Sequence, residues 1–288
     1  MSMLKNAGQF LFDEVVYNGH LQTWGVIALV VLAGQLLGTP LSASLLVAVY
    51  ALFYLIYLHD RYQGVDLDAL GNARRSRHLR KIYRFVPAVL VGGLLALALF
   101  LYAFGNVYAL AFAAAIALGG FLYPVYFKKL TKRIPAFKNL YVALVFALML
   151  FFPNVYALVP LGGVATLALT LAVFVFLRGL TMQFFLDLKD VDGDRAEGLR
   201  TLPVLFGAEN TAAVIRVMNA GTALLLPALY LAFPSLLPLP ALMLVCVAFA
   251  DAYFLRLVAR GNAAGFLLES AEFVYWPFLV YIGQILFR

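Results

Sequence analysis

Residues 161–207 read LGGVATLALTLAVFVFLRGLTMQFFLDLKDVDGDRAEGLRTLPVLFG. From Leu161 to Leu186 the run is apolar except for Arg178, Gln183 and a few threonines. Crossing the hydrocarbon core of a bilayer takes roughly 20 such residues as a helix, so the stretch is long enough to span. It then gives way at once to Asp187, Asp190, Asp192 and Asp194 with Arg195 and Arg200. A membrane helix that delivers a cluster of carboxylates and guanidinium groups to one surface decides both the architecture and the chemistry.

The same apolar pattern recurs along the whole chain. Hydrophobic residues make up 65% of 288 positions and charged ones 12%, too little polar surface to coat a soluble globule. The expected fold is all-α, a polytopic membrane protein with about nine spans: Thr23 to Leu37, Ser42 to His59, Tyr83 to Phe104, Val107 to Tyr123, Lys138 to Phe152, Leu161 to Leu186, Thr211 to Phe233, Leu239 to Val258 and Phe266 to Phe287. Nothing reads as a separate soluble domain or linker, so residues 1–288 are expected to form a single membrane-embedded domain.

Cations near span ends stay on the cytoplasmic side. The loops after the even-numbered spans carry Arg61, Arg74, Arg75, Arg77, Lys128, Lys132, Arg195, Arg200 and their neighbours, whereas the opposite loops carry none. This split predicts a cytoplasmic N-terminus and acidic loops, with the C-terminus on the opposite side. The net charge of +7 is then a collar facing anionic headgroups or phosphorylated substrates, and no nucleic-acid partner is expected. Asp13 and Glu14 interrupt the first apolar segment, which argues against a secretory signal and for an interfacial helix. Cys246 is the only cysteine, which excludes an intramolecular disulfide or a cysteine metal site and reads as a small core residue. His20 and His78 read as surface residues.

Acidic residues cluster after the second span (Asp60, Asp66, Asp68) and again after the sixth. Spans one to four and five to eight therefore read as two four-helix blocks plus one extra helix, with the acidic ends facing each other across a central cavity. On a continuous helix, at about 100° per residue, Asp187, Asp190 and Asp194 share one face within about 60°, with Gln183 a turn deeper. Three carboxylates on one face repel unless a cation neutralises them. Oxygen-only ligands suit a hard ion such as Mg²⁺, commonly held together with substrate phosphates. Arg195 and Arg200 could then grip diphosphate oxygens in bidentate fashion.

These residues resemble the UbiA superfamily of intramembrane prenyltransferases. Its second signature, an Asp-rich DxxDxxxD run with Gly-Asp-Arg, a Gly, Thr-Leu-Pro and another Gly, is matched by Asp187, Asp190, Gly193, Asp194, Arg195, Gly198, Thr201, Leu202, Pro203 and Gly207. The resemblance implies Mg²⁺-dependent ionisation of a polyprenyl diphosphate, held by two Asp-rich motifs around a cavity open to lipid, and transfer to a lipophilic acceptor. The first signature is less faithful. Asp60 and Arg61 keep its Asp-Arg step, but Ile56 and Tyr57 stand where Asn and Asp are usual, and Gly64 stands where a further Asp is usual. If the helix continues through Gly64, Asp68 lies about 80° from Asp60 and Asp66 points away; if the backbone breaks there, either could serve.

The expected metal ligands and catalytic carboxylates are Asp60, Asp68, Asp187, Asp190 and Asp194, bridged by two Mg²⁺ ions. Arg61, Arg195 and Arg200 are expected to touch substrate, and so are Tyr123, Lys128, Lys132 and Asn139 from the segment YPVYFKKLTKRIPAFKN at 123–139. Within the spans Asp251 and Glu272 read as structural ion-pair partners of Arg178 or of Arg216, since an intramembrane charge costs roughly 2.5–3.5 kcal/mol on insertion scales. Two other functions fit parts of the sequence. A terpene cyclase of the same superfamily would use the same diphosphate and an aromatic-rich cavity, and an ion-coupled transporter would use intramembrane carboxylates, although transporter sites usually lie at mid-membrane.

Overall fold

The computed structural model describes residues 2–71 and 73–287, and the side chains of 8–66 and 73–287. All regular structure among them is helical: α1 (Ser2–Tyr17), α2 (His20–Leu37), α3 (Ala43–Gly71), α4 (Ala73–Arg80), α5 (Val86–Phe104), α6 (Val107–Leu122), α7 (Lys128–Leu130), α8 (Phe137–Met149), α9 (Phe152–Ala157), α10 (Ala165–Asp187), α11 (Val191–Ala196), α12 (Leu202–Ala232), α13 (Val245–Ala259), α14 (Ala264–Ser270) and α15 (Trp276–Leu286). Eight helical stretches among the described residues are long and apolar enough to cross a membrane. The ninth expected span, Phe266 to Phe287, is interrupted. Pro277 cannot donate to the preceding turn and crowds its carbonyl, so a new helix starts beside it, and Glu272–Leu286 is a shorter apolar helix.

The outer surface confirms an integral membrane protein. Tyr102 is 82% exposed and Leu231 80% exposed, among many large apolar side chains on α5, α12, α13 and α15. Such continuous apolar surface would not survive in water. Cys246 belongs to this exposed surface, so it is not the small core residue expected; it sits on the outer face of the helix that carries it. The core runs down the bundle centre through Leu29, Leu45, Leu52, Phe152, Phe174, Val247 and Trp276.

Neighbour order repeats along the chain. α2 packs on α3, α3 on α5 and α5 on α6; likewise α8 packs on α10, α10 on α12 and α12 on α13, while α15 closes against α2. The two four-helix blocks plus one expected from the sequence are thus present in the packing. Close approach in the first block depends on small residues: a Cβ on Gly93 of α5 would lie 2.6 Å from Leu55, and one on Gly120 of α6 2.7 Å from Ile56, both on α3. α6 begins with Asn106, whose Oδ1 accepts from Tyr108 and Ala109 N–H at 2.9 Å, satisfying two otherwise orphaned donors.

α1 lies across α2 and α4. Glu14 accepts from His78 at 2.8 Å, and Arg74 pairs with Asp13 at 3.0 Å. His78 is buried by these contacts, and His20 is half-buried, stacked on Tyr54 with Nδ1 2.6 Å from the Tyr50 hydroxyl. Neither histidine is the surface residue expected, because α1 folds back over the positions that sequence alone leaves open.

Candidate active site at the acidic end of the bundle

α10 stops at Asp187, and α11 restarts at Val191, with Asp190 between them outside α-helical geometry at φ −105° and ψ 12°. The Asp190 carbonyl accepts the Asp194 N–H at 2.8 Å and turns the chain. The single carboxylate stripe expected on a continuous helix is therefore split. Asp187 and Asp194 are both buried, whereas Asp190 and Asp192 are exposed.

What joins Asp187 to Asp194 is Lys138. Its ammonium lies 3.0 Å from Asp187 Oδ1, and 2.9 and 2.8 Å from the two Asp194 oxygens. Asn139 donates to Asp187 Oδ2 at 2.8 Å. These four residues are each less than a tenth exposed. Asn139 was expected at the site, but Lys138 was not, although it is the neighbouring residue.

Local backbone aims Lys138 inward. Ala136 has the left-handed conformation, φ 55° and ψ 17°, and begins α8. The Ala136 N–H donates to the Arg200 carbonyl at 3.0 Å, and the Arg200 N–H donates to the Thr131 carbonyl at 3.1 Å. The Lys138 N–H is taken by the buried Thr131 hydroxyl at 3.0 Å. The loop before α8 and the loop after α11 are thus stitched together by backbone, and Lys128 reinforces the seam through Glu197 at 2.8 Å. Gly198, at φ +71°, supplies the turn that a side chain would strain. After it the helix that opens at Leu202 breaks at Gly207, φ 82° and ψ 165°, before the next span proceeds.

The first acidic segment comes from α3, which continues as helix through Gly64 to Gly71. Asp66 then points outward and pairs with Arg80 at 2.6 Å. The Asp68 side chain lies outside the described residues. Asp60 lines a cavity of about 190 Å³ together with Gln22, Tyr57, Tyr123 and Gln183, above apolar walls of Phe53, Ile116, Val145, Phe146 and Met182. Tyr123 stands within electrostatic reach of Asp60, Lys138, Asp187 and Asp194, and its ring stacks on Tyr141 with centroids 5.5 Å apart. α11 also packs against α3. The two acidic segments therefore meet at one end of the bundle, over one cavity.

Other expected substrate contacts are more scattered. Arg61 is buried and donates to Gln22 at 3.2 Å. Lys132, Arg195 and Arg200 are exposed at the same rim, with Arg195 paired to Asp192 at 3.1 Å and Arg200 donating to the Arg133 carbonyl at 3.2 Å. Among the described residues no three Asp, Glu, His or Cys side chains are close enough to hold a metal ion by themselves. Asp187 and Asp194 spend their charge on Lys138.

The comparisons bear on the fold and the family. A protein of Thermococcus sibiricus named digeranylgeranylglyceryl phosphate synthase is 26% identical over 215 residues, 70% of each chain. A UbiA homologue from Aeropyrum pernix superposes with a TM-score of 0.69 at 18% identity, covering 92% of this chain and 97% of that one. A UbiA homologue from Archaeoglobus fulgidus, solved with DMAPP and Mg²⁺, superposes with a TM-score of 0.63 at 15% identity, covering 93% and 98%. The family profile described as the UbiA prenyltransferase family matches residues 24–270. This chain belongs to the UbiA prenyltransferase family.

Proposed function

We propose that the protein ionises a polyprenyl diphosphate at the acidic end of the bundle and transfers the prenyl group to a lipophilic acceptor. One observation carries the reading: Asp60 and Tyr123 line the same apolar cavity, and Tyr123 lies within electrostatic reach of Asp187, Lys138 and Asp194. A prenyl chain fits the walls made by Phe53, Ile116, Val145, Phe146 and Met182, and its diphosphate fits the charged rim. The donor stays in a lipid-like environment, so its tail incurs little desolvation cost.

In the proposed reaction the bond between the allylic carbon and the diphosphate oxygen breaks, and its electron pair leaves with pyrophosphate. Lys128 and the rim cations Lys132, Arg195 and Arg200 offer donors to the charge that builds on those oxygens, and Lys138 offers a fixed positive charge behind them. The allylic cation left behind is faced by the Tyr57, Tyr123 and Tyr141 rings, which line the cavity and shield it from water. The acceptor nucleophile then attacks the carbon and gives up its proton. The hard oxygen donors of Asp60, Asp68 and Asp190 suit Mg²⁺ in kind and would hold it with the diphosphate oxygens, whereas Asp187 and Asp194 are engaged by Lys138. When bound, Mg²⁺ supplies further charge neutralisation to the departing pyrophosphate. The curated relative is a digeranylgeranylglyceryl phosphate synthase, which supports a prenylated lipid as the product class. The one-sided collar of cations supports a cytoplasmic site.

Purified protein incubated with geranylgeranyl diphosphate and Mg²⁺ tests this. The expected result is pyrophosphate release that depends on an added acceptor such as a geranylgeranylglyceryl phosphate. Release without acceptor, with a cyclic hydrocarbon as product, would replace transfer by cyclisation.

A further inference from the structure

We propose that Lys138 is a resident cation, occupying one of the positions that the carboxylates of this site would otherwise offer to a metal ion. The inference rests on the diphosphate-ionising reading for its chemistry, but its geometry is independent of it. Two buried carboxylates, Asp187 and Asp194, converge on one ammonium group at 2.8–3.0 Å. Like charges brought together in a dry site need a counter-cation, and here the chain carries it covalently.

The second observation is in α3. At the three places where the Asp-rich pattern of the first motif would supply further polar ligands, this chain has Ile56, Tyr57 and Gly64. Ile56 and Tyr57 line the apolar cavity instead. Loss of anionic ligands on one side and gain of a fixed cation on the other change the local charge in the same direction, toward a site that needs fewer divalent ions.

Lys138 is also held too firmly to be an incidental visitor. Its backbone N–H is fixed by the Thr131 hydroxyl at 3.0 Å, and its helix starts from a left-handed residue tied to the Arg200 carbonyl. Asn139, the next residue, occupies the remaining Asp187 oxygen at 2.8 Å. A diphosphate arriving at the rim would therefore meet a fixed positive charge whose N–H groups are already taken by the two carboxylates, and Lys138 would share the leaving-group charge with whatever metal accompanies the substrate.

Binding of Mn²⁺, followed by electron paramagnetic resonance on purified protein with inorganic pyrophosphate in place of a prenyl donor, reads this directly. In the wild type, Asp187→Asn and Asp194→Asn should leave the number of bound Mn²⁺ unchanged. Lys138→Met should bind one more Mn²⁺ per chain than the wild type, and adding Asp187→Asn should remove it. Lys138→Met should also gain several degrees of melting temperature on adding Mg²⁺, whereas the wild type should not shift. If Lys138→Met fails to fold without metal, the wild-type comparison with the two Asn variants still decides. A wild type that loses a bound Mn²⁺ through either Asn substitution would show that Lys138 yields to metal and would overturn the proposal. A chain with the expected Mn²⁺ counts but no prenyl transfer would fail the functional reading and leave this inference standing.

Discussion

Arg178 on α10 grips Glu272 through two contacts, Nε to Oε1 and Nη2 to Oε2, both at 3.0 Å, with neither side chain exposed. The same guanidinium reaches Asp251 on α13 at 3.2 Å, and it also donates to Asn219 and Thr222 on α12. Three helices of the second block, α10, α12 and α13, and the segment leading into α15 are tied to one cation inside the bundle. The sequence leaves Arg178 and Arg216 open as partners for these acids; Arg216 is exposed, and Arg178 takes both.

Arg178→Met should therefore be severely destabilising. Removing one partner of a buried pair strands the other charge and costs roughly 3–5 kcal/mol. Here Asp251, Glu269 and Glu272 would remain buried without their cation. The check is thermal unfolding in detergent. A variant as stable as the wild type would mean that the network does not hold the block together.

Activity should separate the acidic residues by position. Asp187→Asn and Asp194→Asn remove buried anchors of Lys138, and turnover should fall by about 10²-fold or more, the scale for groups aimed at developing charge. Asp66→Asn should stay near wild type, because Asp66 is spent on Arg80 at the outer surface. Circular dichroism and melting curves beside the kinetics confirm that each variant is folded. Full activity in Asp187→Asn or Asp194→Asn would remove those residues from the reaction.

Cavity length should follow the α3–α6 contact. An added methyl at Gly120 would lie 2.7–2.9 Å from three Ile56 atoms, and both residues line the cavity. Gly120→Ala should push Ile56 inward, disfavour long donors, and cost about 1–3 kcal/mol through overpacking. Phe146→Ala, on α8, should widen the cavity and favour longer ones. Competition between geranyl, farnesyl and geranylgeranyl diphosphate, read by mass spectrometry of the products, decides it; unchanged preference in both variants would place the donor tail elsewhere.

The clasp of α1 should loosen in acid. Burial alone would raise the Glu14 carboxyl, but hydrogen bonds from Asn18, His78 and His20 outweigh it and hold the value below its ordinary 4.5. A depressed acid contributes stability that is present above its unfolded pKa and is lost as pH falls through the lower folded value. Glu14→Gln should therefore lower stability near neutral pH and flatten its decline below about pH 4.5. Hydrogen exchange of α1 amides across that range is the measurement. Identical acid limbs for both proteins would show that Glu14 does not pin α1.

Much of this molecule is legible in its sequence because the bilayer imposes a length and a composition on every span. The apolar runs around Leu29, Leu97 and Leu171 needed no tertiary information to be read as helices. The acidic motif was legible for the same reason: few structural roles place Asp187, Asp190 and Asp194 at the end of a membrane helix. Lys138 was not. It stands among Lys128, Lys129, Lys132 and Arg133, a basic loop that topology alone explains, and only the Ala136 turn and its pairing with Arg200 select it. The shared face expected for Asp190 was not legible, because helical spacing assumes an unbroken helix and the chain leaves it between α10 and α11. His78 was misread because burial by α1 is a long-range event.

A structure of the protein with an unreactive prenyl thiolodiphosphate and Mg²⁺ tests the central claim most directly. The diphosphate should lie between Asp60 and the Asp187, Lys138 and Asp194 group, with the prenyl chain running down past Ile116 and Phe146. A diphosphate bound at the other end of the bundle, or a prenyl chain lying outside this cavity, would contradict it.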